Sequence, residues 1–243
     1  MVDPIKSPAS PADRIRAVIA TIPLLTKLGE KDELRIAACA RMRRAPAGEI
    51  IVERGDPPAA LFAVATGKLK VVAPRTGGRD ATLHILGPGD VFGEVALFQP
   101  GGRTARVAAI EESVLMVIDH RDFLDLLAHS TELSKRMLSL LAERLKNTIQ
   151  HFDATTSLEA PQRLARKILL LAEHFGVPEG RGIALTLKLS QSELGDLVDS
   201  TRQTVNRLLR AWQEAGILDG TGGRLVILDK SALQAVADAT PLD

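Results

Sequence analysis

The sequence predicts an α+β chain in three parts: an N-terminal antiparallel β-roll of jelly-roll-like character, a long helix, and a C-terminal winged helix-turn-helix. Three observations carry that reading. Short apolar runs recur between Pro46 and Asp119, separated by Gly and Asp turns. An apolar stripe without Pro or Gly extends from Arg121 to Phe152. Near the C-terminus two capping signals, at Ser190 and Ser200, stand ahead of a glycine-rich hairpin.

Residues 1–12 (MVDPIKSPASPA) are punctuated by proline and read as a disordered tail. Ile15, Val18, Ile19 and Ile22 then recur at helical spacing until Pro23, and Glu30 to Met42 reads as a second amphipathic helix. The strand candidates include Ile50-Ile51-Val52, Leu61 to Val64, Leu69 to Val72, Leu83 to Leu86, Val91-Phe92, Val107 to Ile110 and Val114 to Ile118. Gly55-Asp56, Gly67-Lys68, Gly77-Gly78 and Gly89-Asp90 supply their turns. Leu124, Leu127, Leu133, Met137, Leu140, Leu141, Leu145, Ile149 and Phe152 fall near a 3.5-residue repeat. The first half of such a helix can cover the β-roll. Its second half outruns that face and predicts a partner helix, in a parallel homodimer. The pattern lapses near Thr155 and restarts at Pro161, a first-turn proline. Gln162 to Phe175 is amphipathic, and Ile183, Leu185, Leu187 and Leu189 alternate as a strand. The division expected is 13–128 for the β domain, 129–157 for the pairing helix and hinge, and 158–243 for the C-terminal domain.

Composition narrows the function. The formal net charge of +1 over 243 residues carries no global basic field, so a nucleic-acid signal must be local. Cys39 is the single cysteine, which rules out an internal disulfide or a four-cysteine cluster and suits a reducing cytoplasm. Its plainer role is a small buried apolar residue. His84, His120, His129, His151 and His174 are scattered without metal-ligand spacing. No apolar run approaches the ~20 residues of a membrane span. A soluble, cytoplasmic protein with no membrane partner and no resident metal is expected.

Two constellations carry chemistry. In Phe92-Gly93-Glu94-Val95-Ala96-Leu97-Phe98, a strand end turns into one apolar helical turn; a glycine loop then leads to Arg103-Thr104-Ala105-Arg106-Val107. The Gly93 N–H at a helix start suits an anion. Arg103 can grip a phosphate through two N–H groups, and Glu94 can accept from a sugar hydroxyl. The second constellation begins at Ser190-Gln191-Ser192-Glu193, a capping box opening a helix over Glu193 to Val198. Ser200-Thr201-Arg202-Gln203 opens another that runs to about Ala215. On this second helix Val205, Leu208, Leu209 and Trp212 share one face, and Arg202, Gln203, Asn206, Arg207 and Arg210 the other, with three arginines and no acid. Arginine pairs with guanine and Gln or Asn with adenine, while Thr201 and Ser192 suit phosphates and Ser190 is counted with them. A solvated surface helix is the plain alternative; the caps, turn and sorted faces together favour a DNA reader. Ile217-Leu218 and Arg224 to Ile227 flank Gly220-Thr221-Gly222-Gly223 as a wing, where Arg224 is either a phosphate contact or an ordinary edge-strand charge.

The pattern F-G-E-x-A-L-x followed by R-[ST]-A-x-V resembles the phosphate-binding cassette of cyclic-nucleotide-binding domains. With the long helix, Gln162-Arg163-Leu164-Ala165 and the winged helix, nearly the whole chain beyond the tail resembles the catabolite-activator and fumarate–nitrate regulator (CRP/FNR) family. The resemblance implies a homodimeric transcription regulator, not an enzyme. Its allosteric effector would be cAMP, with cGMP the alternative, and its partners a double-stranded operator of two half-sites and RNA polymerase. It assigns Gly93, Glu94, Val95, Ala96, Arg103, Thr104 and Ala105 to the nucleotide. Two positions on the long helix, Thr148 and Ile149, fall where cAMP-binding members contact the base, but isoleucine cannot supply a hydrogen bond. Thr104 keeps cGMP open, because a threonine after the arginine accompanies cGMP selectivity in related domains. Gln203 stands where the usual motif has glutamate, which shifts the expected base from cytosine toward adenine, unless Gln203 caps its own helix. A different effector, a ligand-independent regulator, and a nucleotide-gated enzyme subunit are the competing readings. Arg103→Ala is expected to abolish nucleotide binding and leave the fold intact.

Overall fold

The computed structural model describes residues 11–74, 80–99, 101–220 and 224–239. The chain divides into two units, Met1–Arg144 and Leu145–Asp243. The first opens with helices α1 (Pro11–Ile19) and α2 (Glu30–Cys39) and strands β1 (Ala40–Ala45), β2 (Ile50–Val52), β3 (Ala60–Thr66), β4 (Leu69–Pro74), β5 (Asp80–Leu86) and β6 (Val91–Phe92). A short helix α3 (Val95–Phe98), strands β7 (Arg106–Ala109) and β8 (Ser113–Asp119) and helix α4 (His120–His129) follow. Helix α5 (Thr131–Ser157) runs from the first unit into the second.

The strands pair antiparallel in two four-stranded sheets, ordered β1-β8-β3-β6 and β2-β7-β4-β5. The central strands are apolar on both faces because both faces are covered. Phe62 and Val64 of β3 pack between the sheets with Phe92, Leu115, Val117, Leu69 and Val107. Leu61 and Ala63, one position out of phase, pack instead with Ile36, Phe123, Leu133 and Met137 from the helices. Each such side chain contributes ~1.5–3 kcal/mol by leaving water.

Three expectations are corrected in this unit. Helix α1 already includes Pro11 and Ala12, which the sequence placed in the tail; the rest of that tail lies outside the described residues, as do Gly77-Gly78. Helix α2 stops at Cys39, not Met42, because Ala40 turns extended and β1 joins β8 with Met42 opposite Met116. The long helix expected from Arg121 is two helices, interrupted at Ser130. There the buried Ser130 hydroxyl accepts from the Leu133 N–H at 3.2 Å and donates to Asp32 at 2.5 Å. The serine hydroxyl caps the start of a new helix, and its backbone N–H closes the last turn of the old one on Leu126 O, where no Pro or Gly signalled a break.

The second unit comprises α6 (Ala160–Phe175), β9 (Gly176–Glu179), β10 (Gly182–Leu185), α7 (Gln191–Leu197), α8 (Arg202–Glu214), β11 (Leu218–Asp219), β12 (Val226–Ile227) and α9 (Lys230–Asp238). The strands form one antiparallel sheet, β11-β12-β10-β9. A capping box between Glu159 and Gln162, with Pro161 in the first turn, starts α6, which buries Leu164, Ile168, Leu171 and Phe175. The strand expected through Leu189 ends at Leu185, while Leu187 is buried outside any strand. Helix α9 closes the unit with Leu233 and Ala237, and Gln162 donates to the Ala239 carbonyl at 2.7 Å. The wing tip at Thr221-Gly222-Gly223 lies outside the described residues.

Candidate functional site

The β6 strand ends at Phe92 and the chain turns at Gly93 with φ +89°. A Cβ here would stand 2.4 Å from Arg103 Nη1 and 3.2 Å from the Ala60 carbonyl oxygen, so both conformation and close approach require glycine. Glu94 is helical and precedes α3, whose Ala96 and Leu97 are buried while Val95 remains part exposed. Gly101 and Gly102 bring the chain back to Arg103. The Arg103 N–H donates to Asp56 O, and the Gly55 N–H to Arg103 O, each at 2.9 Å. The start of the second half of the cassette is thereby held by the main chain to the Gly55-Asp56 turn.

The Arg103 side chain is 4% exposed. Its Nη1 donates to Gly93 O at 2.8 Å and its Nη2 to Ala60 O at 2.6 Å. The guanidinium carbon lies 5.6 Å from the centroid of the Phe62 ring, which stacks on Phe92 at 4.9 Å. Burial pulls this arginine below its ordinary pKa, and the Asp56 and Glu94 carboxylates oppose the shift. Glu94, 1% exposed, accepts through Oε1 from Arg144 Nη1, while Arg144 Nη2 donates to Val91 O. Two buried polar atoms of the cassette have no hydrogen-bond partner, Glu94 Oε2 and Arg103 Nε. Buried polar atoms are seldom left so. Arg103 lines an open cleft of about 260 Å³ with Arg54, Val95, Gln99, Gly101, Gly102 and Thr104, and Glu94 immediately precedes Val95 in the chain. Thr104 is exposed and Ala105 half-buried. Nearby Arg106 is spoken for: its Nε donates to both Glu53 oxygens at 2.9 Å and its Nη1 to Asp80 at 2.8 Å. These contacts hold the Glu53 carboxyl below its usual range. The donor set fits a small phosphate carrying a hydroxylated sugar.

Sequence reasoning missed Arg144, which stands 50 positions from Glu94. The available signal was helical spacing, since Arg144 lies one turn ahead of Thr148 on α5. Thr148 and Ile149 sit on the part of α5 that belongs to the second unit, and both are exposed. Along α5, Leu133 and Met137 are buried. Leu138, Leu145, Ile149 and Phe152 are 67, 62, 59 and 70% exposed at heptad-like intervals.

In the second unit, Ser190 caps α7 as expected: its hydroxyl accepts from the Glu193 N–H at 3.2 Å and its N–H donates to Glu193 Oε2 at 2.9 Å. Ser192 is exposed. The turn to α8 closes on Gly195, whose carbonyl accepts from the Ser200 N–H at 2.8 Å. A Cβ at Gly195 would lie 2.7 Å from the Ser200 carbonyl oxygen. Arg163 of α6 fastens the same turn, donating to Val198 O at 2.8 Å and Asp199 O at 3.3 Å.

The second cap is shifted by one residue from the expected position. Thr201, not Ser200, accepts from the third residue onward, the Thr204 N–H at 3.1 Å. Gln203 is therefore not a capping residue and stands exposed with Arg202, Arg207 and Arg210. Val205, Leu208, Leu209 and Trp212 are buried opposite. Asn206 stands on the same polar face but is less open than its neighbours there. It is half-buried, and its Oδ1 accepts from Gln191 Nε2 on α7 at 3.1 Å. Arg224 pairs with Glu179 at 2.7 Å and donates to Leu185 O, the edge-strand role of its two readings.

Residues 42–130 match the family model of the cyclic nucleotide-binding domain, and residues 162–236 that of the Crp-like helix-turn-helix domain. A CRP-like cAMP-activated global transcriptional regulator of Mycobacterium tuberculosis is 32% identical over 188 residues, 77% of this chain and 84% of that protein. A cyclic AMP receptor protein of Thermus thermophilus is 31% identical over 192 residues, 79% of this chain and 86% of that one. The solved structure of a CRP-family transcriptional regulator, also from Thermus thermophilus, superposes with a TM-score of 0.69 at 27% identity, covering 82% of this chain and 97% of that chain.

Proposed function

The chain belongs to the CRP/FNR family of DNA-binding transcription regulators, and we propose that it is a cytoplasmic homodimer switched by a cyclic nucleotide, cAMP ahead of cGMP. Its relatives are regulators, not enzymes. The observation that carries the proposal is the cassette's pair of buried unfilled atoms, Glu94 Oε2 and Arg103 Nε. A cyclic nucleotide supplies one phosphate charge and one ribose hydroxyl to that site. Gly93, Arg103 and Thr104 hold the phosphate, Glu94 accepts from the hydroxyl, and Val95, Ala96 and Ala105 shape the wall. The base is assigned to Thr148 and Ile149, the positions at which cAMP-binding members of the family contact it. The preference for cAMP rests on the names of the relatives, which are cAMP-activated or cyclic AMP receptors.

The exposed leucines and isoleucine of α5 support pairing with a second copy. Arg202, Gln203, Arg207 and Arg210 read base edges, while Thr201, Ser190 and Ser192 meet the backbone. A dimer then requires two half-sites about one helical turn apart, ~34 Å, and acts on transcription with RNA polymerase. The nucleotide must bind the DNA-competent state better than the other, or it switches nothing. A second reading, with a different effector on the same architecture, is favoured only by Ile149, which offers the base no hydrogen bond.

Calorimetric titration of the full chain with cAMP and with cGMP tests the first step. Selection of DNA from a random duplex library, with and without each nucleotide, tests the second. Binding of cAMP and nucleotide-dependent enrichment of a two-fold symmetric sequence are expected. Absence of heat with either nucleotide, together with unchanged enrichment, overturns the effector assignment. Leu145→Glu with Ile149→Glu is expected to yield a monomer by light scattering; an unchanged dimer refutes the α5 seam.

A further inference from the structure

The recognition helix does not stand alone on its polar face. Asn206, between Arg202 and Arg210 at four-residue spacing, is tied across the helix pair by Gln191, the first residue of α7. Both residues are half-buried and line an open hollow of about 250 Å³ that Arg210 and Arg224 also border. The bond uses one Asn206 Oδ1 lone pair and one Gln191 N–H, and it couples the orientations of the two amides, so that one turns only with the other. Among the described residues neither remaining half has a partner: the Asn206 amide N–H₂ donor and the Gln191 Oε1 acceptor. Joined in this way, the two amides offer one donor and one acceptor from two different helices.

We propose that Gln191 and Asn206 act as a single base-reading unit whose donor and acceptor match an adenine edge in the major groove, with Gln191 coupled to Asn206 so that the pair always presents one of each. This rests on the DNA-reader assignment above. Adenine presents the N7 acceptor and the N6–H donor side by side, which is the complement of this pair. An unbridged asparagine can turn its amide independently; in the bridged pair, whichever way the two amides turn together, one presents a donor and the other an acceptor. The consequence is that a residue outside the recognition helix governs preference at one base-pair position of each half-site.

Gln191→Glu separates this role from simple packing. A carboxylate cannot donate, so Asn206 must turn its N–H₂ toward the new carboxylate and present Oδ1 outward. The preference then passes to a base edge offering a donor alone, such as the cytosine N4 amino group. The experiment is selection from a random duplex library by the full chain and by the Gln191→Glu, Gln191→Ala and Asn206→Ala variants, each with cAMP present and absent. Wild type is expected to favour adenine at one position of each half-site by roughly 5- to 100-fold, the range of a good two-bond base contact. Gln191→Ala and Asn206→Ala should both flatten that same position and leave the others intact, and Gln191→Glu should change the base preferred there.

A Gln191→Ala variant that loses affinity equally on every sequence, or changes no position, overturns the proposal, as does Gln191→Glu retaining the adenine preference. Wild type enriching no sequence at all would instead overturn the DNA-reader assignment on which the unit depends. Circular dichroism melts of the variants identify any that fail to fold; in that event Gln191→Glu decides the matter, because it keeps the side-chain length and volume.

Discussion

Arginine does opposite things in the two units. In the cassette Arg103 is 4% exposed and already spends two N–H groups on the carbonyls of Ala60 and Gly93. On α8, Arg202, Arg207 and Arg210 are exposed, with no protein partner among the described residues. A buried charge without partners costs several kcal/mol, so a small-molecule pocket must satisfy its arginine internally before any ligand arrives. A surface that meets a polyanion has no such need, because water solvates it until the phosphates come. The difference teaches that one arginine is part of the fold and the others are not.

The sharpest way to break this comparison is Arg103→Ala. Beyond abolishing cAMP binding in a calorimeter, it strips donors from one buried and one part-buried carbonyl, so the unfolding free energy should fall by roughly 2–4 kcal/mol in urea titrations. The fold-neutral outcome suggested by sequence does not allow for those two bonds. Unchanged nucleotide affinity would remove Arg103 from the site, and unchanged stability would remove it from the fold.

Arg202→Ala is the mirror experiment. Operator affinity should fall by ~1–3 kcal/mol with relaxed preference at one base position, while stability stays within about 0.5 kcal/mol of wild type. A loss of stability comparable to that of Arg103→Ala would erase the contrast.

The smallest effect concerns Arg106, the neighbouring arginine paired on the surface. Its hydrogen bonds lower the folded pKa of Glu53. A depressed carboxylate contributes stability above its ordinary range, near ~4.3, and that contribution disappears as pH falls through the lowered value. Urea midpoints of wild type should therefore decline slightly more than those of Glu53→Gln on acidification from neutrality. Parallel declines would show the pair to be energetically silent, as many exposed ion pairs are.

Much of this was legible in the residues themselves. The Ser190–Glu193 box formed as written, because both halves of a capping box lie within one turn. Its neighbour slipped from Ser200 to Thr201, since two adjacent hydroxyls compete and Ser200 gives its N–H to Gly195. The helix break at Ser130 was hidden because its serine is held by Asp32, 98 positions away. Strand β1, A-R-M-R-R-A, has no apolar run and owes its state to pairing with β8. The Glu94–Arg144 pair and the Gln191–Asn206 bridge are tertiary facts: each needs two elements already in place. Local chemistry was readable, and cross-element chemistry was not.

Helix α5 carries the contrast between covered and open surface within a single element. Its 27 residues make a rod of about 40 Å at ~1.5 Å per residue. One end is fastened by the Ser130 cap and by Leu133 and Met137, whereas beyond Leu145 the apolar stripe faces solvent. Backbone amides in a helix exchange with deuterium as fast as their local cover permits. In an unpaired chain, protection therefore fades along the rod from Thr131 toward Ser157, and a second copy laid along the stripe restores it. The slope of exchange along this one helix measures assembly directly, without a label and without DNA.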